Sequence, residues 1–215
     1  ANTVFAGKGK KVSNDYDVCA KALCGNKQYD EAIANVNKAL DLDKNNLEPM
    51  KTLAAIYTAQ GNEDKALDVQ KEYLSKSKKA TSSDYAALAS TYIAKAEGIT
   101  DRAAKNEVLA KAIAVYEDMI TKFPSISDWI WLNEANAAQL MNDPDKVADI
   151  YKKVAAFEEA KPSLDEDSKS YLENVYYGLG YYNSKKGNKQ EADEYYNKVL
   201  KVNPNNENAK KALGM

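Results

Sequence analysis

Few side chains in this 215-residue sequence could do chemistry. Histidine is absent, which removes the commonest general base and the commonest metal ligand. A nucleophilic cysteine needs a basic or cationic neighbour that holds it as a thiolate, and Cys24 has only Lys21 nearby in the same predicted helix. Cys19 and Cys24 lie five residues apart in that helix. Their Cα atoms should be too far apart to bridge, so we expect free thiols.

The other reactive residue types also have structural explanations. Asp165, Glu166 and Asp167 form an acidic cluster at the predicted start of a helix, where carboxylates interact favourably with the positive end of the helix dipole. The sequence contains neither a glycine-rich phosphate loop nor a set of ligands with metal spacing. It therefore predicts no enzyme activity, no cofactor and no metal site.

Composition narrows the class of partner. Thirty lysines and arginines stand against 32 acidic residues, giving a net charge of −2. Nucleic-acid binding needs a net basic face, so we expect no nucleic-acid partner. No run of about eighteen apolar residues occurs, so we expect no membrane span. The apolar fraction of 44% is enough for a sizeable core.

One pattern recurs along the chain and predicts how its side chains are positioned. Each copy centres on a small residue within an amphipathic segment, and these anchors are Ala32, Ala66, Ala112, Val147 and Ala192. Two of the intervals are close to 34 residues and the other two are about eleven residues longer. A second segment with apolar residues at helical spacing precedes each anchor. Its small residues should lie where the paired helices cross most closely, and these are Ala20, Ala54, Ala89, Ala135 and Gly180. The sequence therefore predicts five helix–turn–helix hairpins.

The last copy contains most of a known repeat motif. Its matching residues are Tyr176, Leu179, Gly180, Gly187, Ala192, Tyr196 and Pro204, and the third copy ends with Tyr116 and Pro124. The pattern resembles the tetratricopeptide repeat (TPR), a helix–turn–helix unit of 34 residues. The resemblance extends over residues 13–204 and implies an all-α fold, a right-handed α-solenoid with a TPR-like superhelix.

The domain organisation follows from this interpretation. We predict an N-terminal tail at residues 1–12, five hairpins forming one domain at 13–203, and a capping helix at 204–215, because the last repeat otherwise exposes an apolar face. The capping helix should bury Ala209, Ala212 and Leu213. The extra eleven residues equal about three helical turns and keep the apolar face in phase. We expect them to lengthen one helix from Asp101 and another back to Asp165, both projecting from the stack, with long loops as the alternative.

Helix ends have their own signals. Gly61-Asn62 and Gly187-Asn188 should separate paired helices, and Asp143-Pro144 is typical of an N-cap followed by proline in the first turn. Ser163 with Glu166 has the spacing of a capping box.

The resemblance also implies where partners bind, because the first helix of each TPR hairpin lines a concave face. Aligned positions include Glu48, Lys51, Thr52, Ala55 and Thr58 in the second hairpin and Ser83, Ala86, Ser90 and Ile93 in the third. Aromatic rings flanked by amides suit a bound peptide, since rings supply contact area and amides pair with backbone groups. The predicted partner-binding residues are Trp129, Asn133, Asn136, Tyr177, Tyr181 and Lys51. The alternative is that the aromatic residues pack against neighbouring repeats.

Two departures from the family pattern limit this interpretation. The subclass that grips chaperone tails uses spaced lysines, asparagines and an arginine, but Ala55 replaces one asparagine and Arg102 is the sole arginine. Glu134 stands where the family has a buried leucine. We expect Glu134 to reach a lysine or solvent, unless its helix is rotated by about two residues from the alignment.

The function that follows is a non-catalytic scaffold or adaptor that binds a peptide or protein segment in its groove. The alternative is a structural role in which the elongated helices, or the basic tail Gly7–Lys11, form a homo-oligomer. Val4-Phe5-Ala6 before Gly7 resembles a signal-peptidase site. We therefore expect export, to a bacterial periplasm, with a cytoplasmic location as the alternative that free thiols favour.

Overall fold

The structure, a computed structural model, describes residues 12–215. These residues contain eleven α-helices and a short 3-10 helix, Pro124–Ile126, and no β-strand. The helices are α1 (Ser13–Gly25), α2 (Tyr29–Leu42), α3 (Glu48–Ala59), α4 (Glu63–Lys76), α5 (Ser82–Glu97), α6 (Arg102–Lys122), α7 (Ser127–Leu140), α8 (Pro144–Glu159), α9 (Glu166–Lys186), α10 (Lys189–Val202) and α11 (Glu207–Leu213). The all-α prediction is confirmed.

The chain divides into two compact units, with the boundary between Lys111 and Ala112 inside α6. In the first unit α1 packs on α2 and α3 packs on α4, while α2 contacts α3 and α4 contacts α5. In the second unit α7 packs on α8 and α9 packs on α10, while α8 contacts α9 and α11 contacts α10. Within each unit the hairpins therefore pack in chain order, as a helical repeat requires.

Small residues allow the paired helices to approach each other. Ala20, Ala54, Ala89 and Ala135, which were predicted at the crossing points, are all buried. At the equivalent place in α9, a Cβ atom on Gly180 would lie 2.7 Å from the Tyr196 ring of α10. The close approach of helix and ring therefore requires glycine at this position.

Helix ends follow most of the sequence signals. Gly61 and Gly187 adopt left-handed φ angles of +67° and +82° between paired helices, which favours glycine. Asp143 caps α8, its Oδ1 accepting from the Lys146 N–H at 3.0 Å. The capping box predicted at Ser163 is wrong. Asp165 is the N-cap of α9 and accepts from the Ser168 N–H at 2.8 Å, because an aspartate caps well and its charge complements the dipole.

The two predicted long helices are confirmed, since α6 and α9 each contain 21 residues. The prediction that both project from the stack is wrong for α9. Ser168 and Leu172 near its start are buried, and the Lys161 ammonium donates to the Ser168 hydroxyl at 3.2 Å. The start of α9 is therefore held against the second unit by polar and apolar contacts.

The C-terminal helix α11 forms as predicted and buries Ala209, whereas Ala212 is exposed and Leu213 half-buried. Cys19 and Cys24 are free thiols. Along residues 12–215, no helix is both long and apolar enough to cross a bilayer. The signal-peptide remnant predicted at Ala1–Ala6 and the basic tail Gly7–Lys11 lie outside the described residues, so export remains a prediction.

Candidate functional site

A groove of the first unit lies between α3 and α5, with α4 beneath them. We call it the first groove, and its volume is about 590 Å³. Most of its wall is methyl and methylene groups, and several wall residues are alanines with exposed side chains. The lining residues are Met50, Lys51, Ala54, Ala55, Thr58, Ala59, Gln70, Tyr73, Asp84, Ala87, Ser90, Thr91 and Ala94.

The floor of the first groove is polar at one point. The Gln70 amide Nε2 of α4 donates to the Thr91 hydroxyl of α5 at 3.0 Å, and that hydroxyl donates to the Ala87 carbonyl at 2.9 Å. The Gln70 Oε1 atom is shielded from solvent and has no hydrogen-bond partner among the described residues. A buried, unsatisfied acceptor is costly, so the floor is not optimised for the empty groove.

An ion pair forms one end of the first groove. The Lys51 ammonium lies 3.0 Å from a Glu48 oxygen and 3.2 Å from an Asp84 oxygen, and 5.2 Å from the centre of the Tyr73 ring. Burial lowers the pKa of Lys51, but hydrogen bonds to Glu48 and Asp84 outweigh it and raise the pKa overall. The Lys51 charge is therefore already paired with carboxylates of the protein.

Asp84 is positioned for this pairing by the start of α5. Thr81, the N-cap of α5, donates to Asp84 through its N–H at 2.8 Å and its hydroxyl at 2.9 Å. Burial raises the pKa of the Asp84 carboxyl, but these bonds and the Lys51 charge lower it overall. Asp84 therefore stays ionised and cannot serve as a general acid near neutral pH.

A second groove lies in the second unit between α7 and α9, above α8, and its volume is about 320 Å³. We call it the second groove. Its lining residues are Gln139, Asn142, Asp143, Pro144, Val147, Ala148, Tyr151, Gly178, Tyr181, Tyr182, Lys185 and Lys186. The Tyr151 ring lies directly on Gly178, where an added Cβ would come within 2.3 Å of it. The Tyr151 hydroxyl accepts from the Gln139 amide at 2.9 Å.

The two grooves occupy equivalent places in the repeat. Aligning the crossing residue Ala54 with Ala135, and Ala66 with Val147, places Gln70 opposite Tyr151. Aligning Ala89 with Gly180 places Ala87 opposite the smaller Gly178. It places three small residues of the first groove opposite large ones of the second: Ser90 opposite Tyr181, Thr91 opposite Tyr182, and Ala94 opposite Lys185.

Contacts confirm this equivalence. Lys95 of α5 is paired with Asp64 of α4 in the first unit, and Lys186 of α9 lies 2.8 Å from Asp145 of α8 in the second. Lys95 aligns with Lys186 and Asp64 with Asp145, so the same ion pair recurs beside both grooves.

The structure distributes the predicted partner-binding residues over several surfaces. Lys51 lines the first groove and Tyr181, which is 53% exposed, lines the second. Tyr177 lies one turn from Tyr181 but its ring contacts Tyr196 of α10, with centroids 5.7 Å apart. Tyr177 therefore agrees with the alternative that the aromatic residues serve packing, whereas the exposed Tyr181 does not.

Trp129, Asn133 and Asn136 are on α7 and do not line the second groove. The Asn133 amide donates to the Trp129 carbonyl at 2.7 Å, which leaves its oxygen as an acceptor. Trp129 is 38% exposed and Asn136 is also exposed. Their role in binding stays a prediction.

The alignment was correct for part of α3, where Glu48 and the buried Thr52 do not line the groove, and it was shifted in α5. Ala55 and Thr58 line the first groove as predicted, whereas in α5 only Ser90 of the predicted set does so. Asp84, Ala87 and Ala94 lie one residue after the predicted Ser83, Ala86 and Ile93. The α5 face is therefore rotated by about one position from the family pattern.

Glu134 is buried in α7 and reaches a lysine, one of the two outcomes expected for it. Its carboxylate lies 3.7 Å from the Lys146 ammonium, which also lies 3.7 Å from Glu117. Burial raises the pKa of Glu134 despite the Lys146 charge. Because Ala135 beside it is fully buried at the helix crossing, α7 is not rotated from the alignment.

A second charged cluster joins α7, α8 and the start of α9. The Lys161 ammonium lies 3.1 Å from Asp128 and 2.8 Å from the fully buried Glu158. Burial raises the pKa of Asp128, but hydrogen bonding and the Lys161 charge lower it overall. In the part of the chain that the structure describes, no group of three or more histidine, cysteine, aspartate or glutamate residues is arranged to hold a metal ion.

Comparison with known families identifies the repeat. Residues 23–91 and residues 173–206 each match a family model described as tetratricopeptide repeat. The first match includes the helices that form the first groove. The chain is a tetratricopeptide repeat protein, and its fold supports a protein–protein interaction module. No curated protein shows significant similarity to the chain.

Solved structures of TPR proteins are similar to the chain over most of its length. The C-terminal part of a TPR repeat-containing protein from Cytophaga hutchinsonii is 21% identical, with a TM-score of 0.68 over 96% of this chain and 75% of that one. MamA from Desulfovibrio magneticus RS-1 is 14% identical, with a TM-score of 0.57 over 94% and 99% of the two chains. At these identities the similarity shows the fold.

YrrB, described as a TPR protein with an unusual peptide-binding site, is 15% identical. Its TM-score is 0.55, over 94% of this chain and 91% of its own. Like the other two structures, it shares the helical repeat fold with this chain.

Sequence reasoning missed the second-helix residues of both grooves, Gln70 and Tyr151. The signal was present in the repeat alignment. The fourth residue after each anchor is Val36, Gln70, Tyr116, Tyr151 or Tyr196. Gln70 is the polar, non-aromatic residue in this set, and it lines the groove with the larger volume of the two.

Proposed function

We propose that the chain is a non-catalytic adaptor that binds segments of partner proteins in the grooves between the first helices of neighbouring hairpins. The observation that supports this most is the first groove. Its apolar wall and volume of about 590 Å³ lie within the range of sites that accept ligand side chains. Its charges are paired internally, so the groove offers contact area and hydrogen-bonding groups.

The shape of both grooves favours an extended or helical segment. Each groove runs between two helices and is open to solvent, so a chain can lie along it with side chains entering between the helices. The exposed Tyr181 ring with the Lys185 ammonium 5.3 Å from its centre, and the hydroxyls of Thr58 and Ser90 in the first groove, supply the polar contacts that orient a peptide.

The reactive groups of the first groove do not favour catalysis. Asp84 is held ionised by Thr81 and Lys51, and Lys51 is held protonated by Glu48 and Asp84. A general base or acid needs a pKa near the working pH. Neither group has one.

Self-association through the long helices is the second candidate. It is less well supported, because the extra turns of α9 are used in packing within the second unit. Sedimentation at several concentrations tests it, and a single monomeric species throughout would exclude it.

Peptide display on the immobilised full chain tests the groove proposal. Peptides that are enriched should bind the double variant Ser90→Arg with Tyr181→Arg at least about tenfold more weakly in calorimetry, because both grooves are then obstructed. Ser75→Arg, at an exposed position of α4 outside the groove lining, is the matched control and should bind normally. The proposal fails if no peptide is enriched, or if the double variant binds as tightly as the control.

A further inference from the structure

The second groove shows what an occupied groove of this repeat looks like. The Tyr151 ring lies flat on the backbone of α9 at Gly178, and only 8% of the residue is exposed. Its hydroxyl is satisfied by the Gln139 amide on the opposite wall. One aromatic ring from the chain itself therefore bridges the two walls of the groove.

The walls of the first groove come from the equivalent helices, but the ring is absent and smaller side chains stand opposite Tyr181, Tyr182 and Lys185. Gln70 stands in the place of Tyr151, and its amide turns to Thr91 instead of crossing the groove. Ala87 lies opposite Gly178 and is exposed. The volume of the first groove is about 590 Å³ against about 320 Å³ for the second, so space for a large side chain remains.

The chemistry of the wall determines which side chain fits that space. Ala54, Ala55 and Ala94 present methyl groups, and Lys51 and Asp84 are already paired with each other. An anionic occupant would lose its hydration without gaining a free counter-ion, because Lys51 is already paired. The methyl groups of the wall favour an occupant that is mostly apolar.

The wall also provides a place for a phenol. Thr58 aligns with Gln139 and lines the first groove. Its hydroxyl donates to the Ala54 carbonyl at 3.1 Å, which leaves its oxygen lone pairs to accept a hydrogen bond. In the second groove the equivalent Gln139 binds the Tyr151 hydroxyl, so both grooves place a polar group at this point.

We propose that the first groove binds an aromatic side chain, that of a tyrosine above all, from a partner protein segment, and that Gln70 keeps the groove open for it. This inference rests on the proposed function and assigns its anchor. The partner's ring lies over the methyl group of Ala87, farther from the helix backbone than Tyr151 lies from α9 at Gly178, and reaches Thr58.

Titration of the full chain with N-acetyl-tyrosinamide, followed by amide chemical shifts, tests the proposal. The shifts should move at Ala87, Thr91 and Thr58, and N-acetyl-leucinamide should bind several-fold more weakly. Gln70→Tyr should lower the affinity at least about tenfold, because the introduced ring occupies the groove. Gln190→Tyr, an exposed glutamine on α10, is the matched control and should leave the affinity unchanged.

Ala87→Leu provides a second obstruction on a helix that tolerates leucine well, and circular dichroism checks that both variants fold. Unchanged binding in folded Gln70→Tyr and Ala87→Leu would overturn the proposal, as would equal binding of the leucine amide. Shifts confined to the second groove would overturn it too while leaving the proposed function standing. If displayed peptides also failed to bind either groove, the aromatic-anchor proposal and the proposed function would both be wrong.

Discussion

The first and second grooves compare two uses of one repeat geometry. Both lie between the first helices of neighbouring hairpins, and each has a lysine–aspartate pair beside it, Lys95 with Asp64 and Lys186 with Asp145. In the second groove Tyr151 fills the gap between the helices, whereas in the first groove Gln70 leaves it open. The side chain at this position of the second helix is therefore one of the differences that make the first groove larger, together with the smaller wall residues of α5.

The difference has opposite consequences for stability and binding. A buried aromatic ring contributes a large apolar area to the fold, so Tyr151 stabilises the contact of α8 with α9. The first unit forgoes that contribution and retains an unsatisfied Gln70 oxygen. Suboptimal packing at a groove is the expected cost of a surface kept for a partner.

Replacing Tyr151 with glutamine, the residue that the first groove has at this position, should give the largest effect. Tyr151→Gln removes a ring that is 8% exposed and its bond to Gln139. We expect the free energy of unfolding to fall by about 3 kcal/mol, as for loss of a buried aromatic. Urea titration measures it. The matched control, Tyr181→Gln, changes a residue that is 53% exposed and should cost at most about 1 kcal/mol. Equal losses in the two variants would contradict the assignment of Tyr151 to the core.

Gly178→Ala sharpens the comparison because it introduces into the second groove the residue that Ala87 provides in the first. The added Cβ would lie 2.3 Å from the Tyr151 ring, so we expect a loss of about 1–2 kcal/mol in the free energy of unfolding. In a Tyr151→Gln background the clash disappears. The same substitution should then gain up to about 1 kcal/mol from helix propensity.

A double-mutant cycle by urea titration measures this reversal of sign. If Gly178→Ala costs the same with and without the tyrosine ring, the ring does not lie on Gly178.

Glu134→Leu tests a smaller difference between the units, a carboxylate in α7 where α3 has a leucine. Glu134 aligns with Leu53 of α3, which packs against the core of the first unit. We expect the variant to gain about 1 kcal/mol at pH 7, because a buried carboxylate is replaced by an apolar side chain. The pKa of Glu134 is raised by burial. The native protein therefore loses stability as the pH rises from the unfolded pKa through the folded one.

The gain should accordingly be larger at pH 7 than at pH 4, where Glu134 is protonated in both states. Unfolding curves at the two pH values measure it, and Glu173→Leu, at a half-buried carboxylate that accepts from Asn203 and Asn206, is a comparison variant expected to lose stability. A gain independent of pH would show that the Glu134 carboxylate is not perturbed by burial.

The repeat period and the positions of small residues were sufficient to predict the helices. Ala54, Ala89 and Gly180 marked the crossings, and inserted segments of about three turns predicted that α6 and α9 are long. The cap of α9 was assigned to Ser163 because its sequence spacing fits, but Asp165 is the residue whose carboxylate meets a free backbone N–H. Sequence spacing alone does not show which of two nearby residues caps the helix.

The site was less predictable than the fold. Lys51 and Tyr181 were placed in grooves correctly, while the α5 residues were shifted by one position, because a small rotation of a helix changes which face meets the groove. Tyr177 pairs with Tyr196, a contact between helices that no local pattern indicates. Gln70 was overlooked because it lies on the second helix, where the family resemblance places core residues.

The crystal structure of Gln70→Tyr tests the central claim most directly. If Gln70 keeps the first groove open, the introduced ring should lie between α3 and α5 over the Ala87 methyl group, with its hydroxyl near Thr58, and the volume of the first groove should fall. An introduced ring that turns into solvent and leaves the groove open would contradict the account.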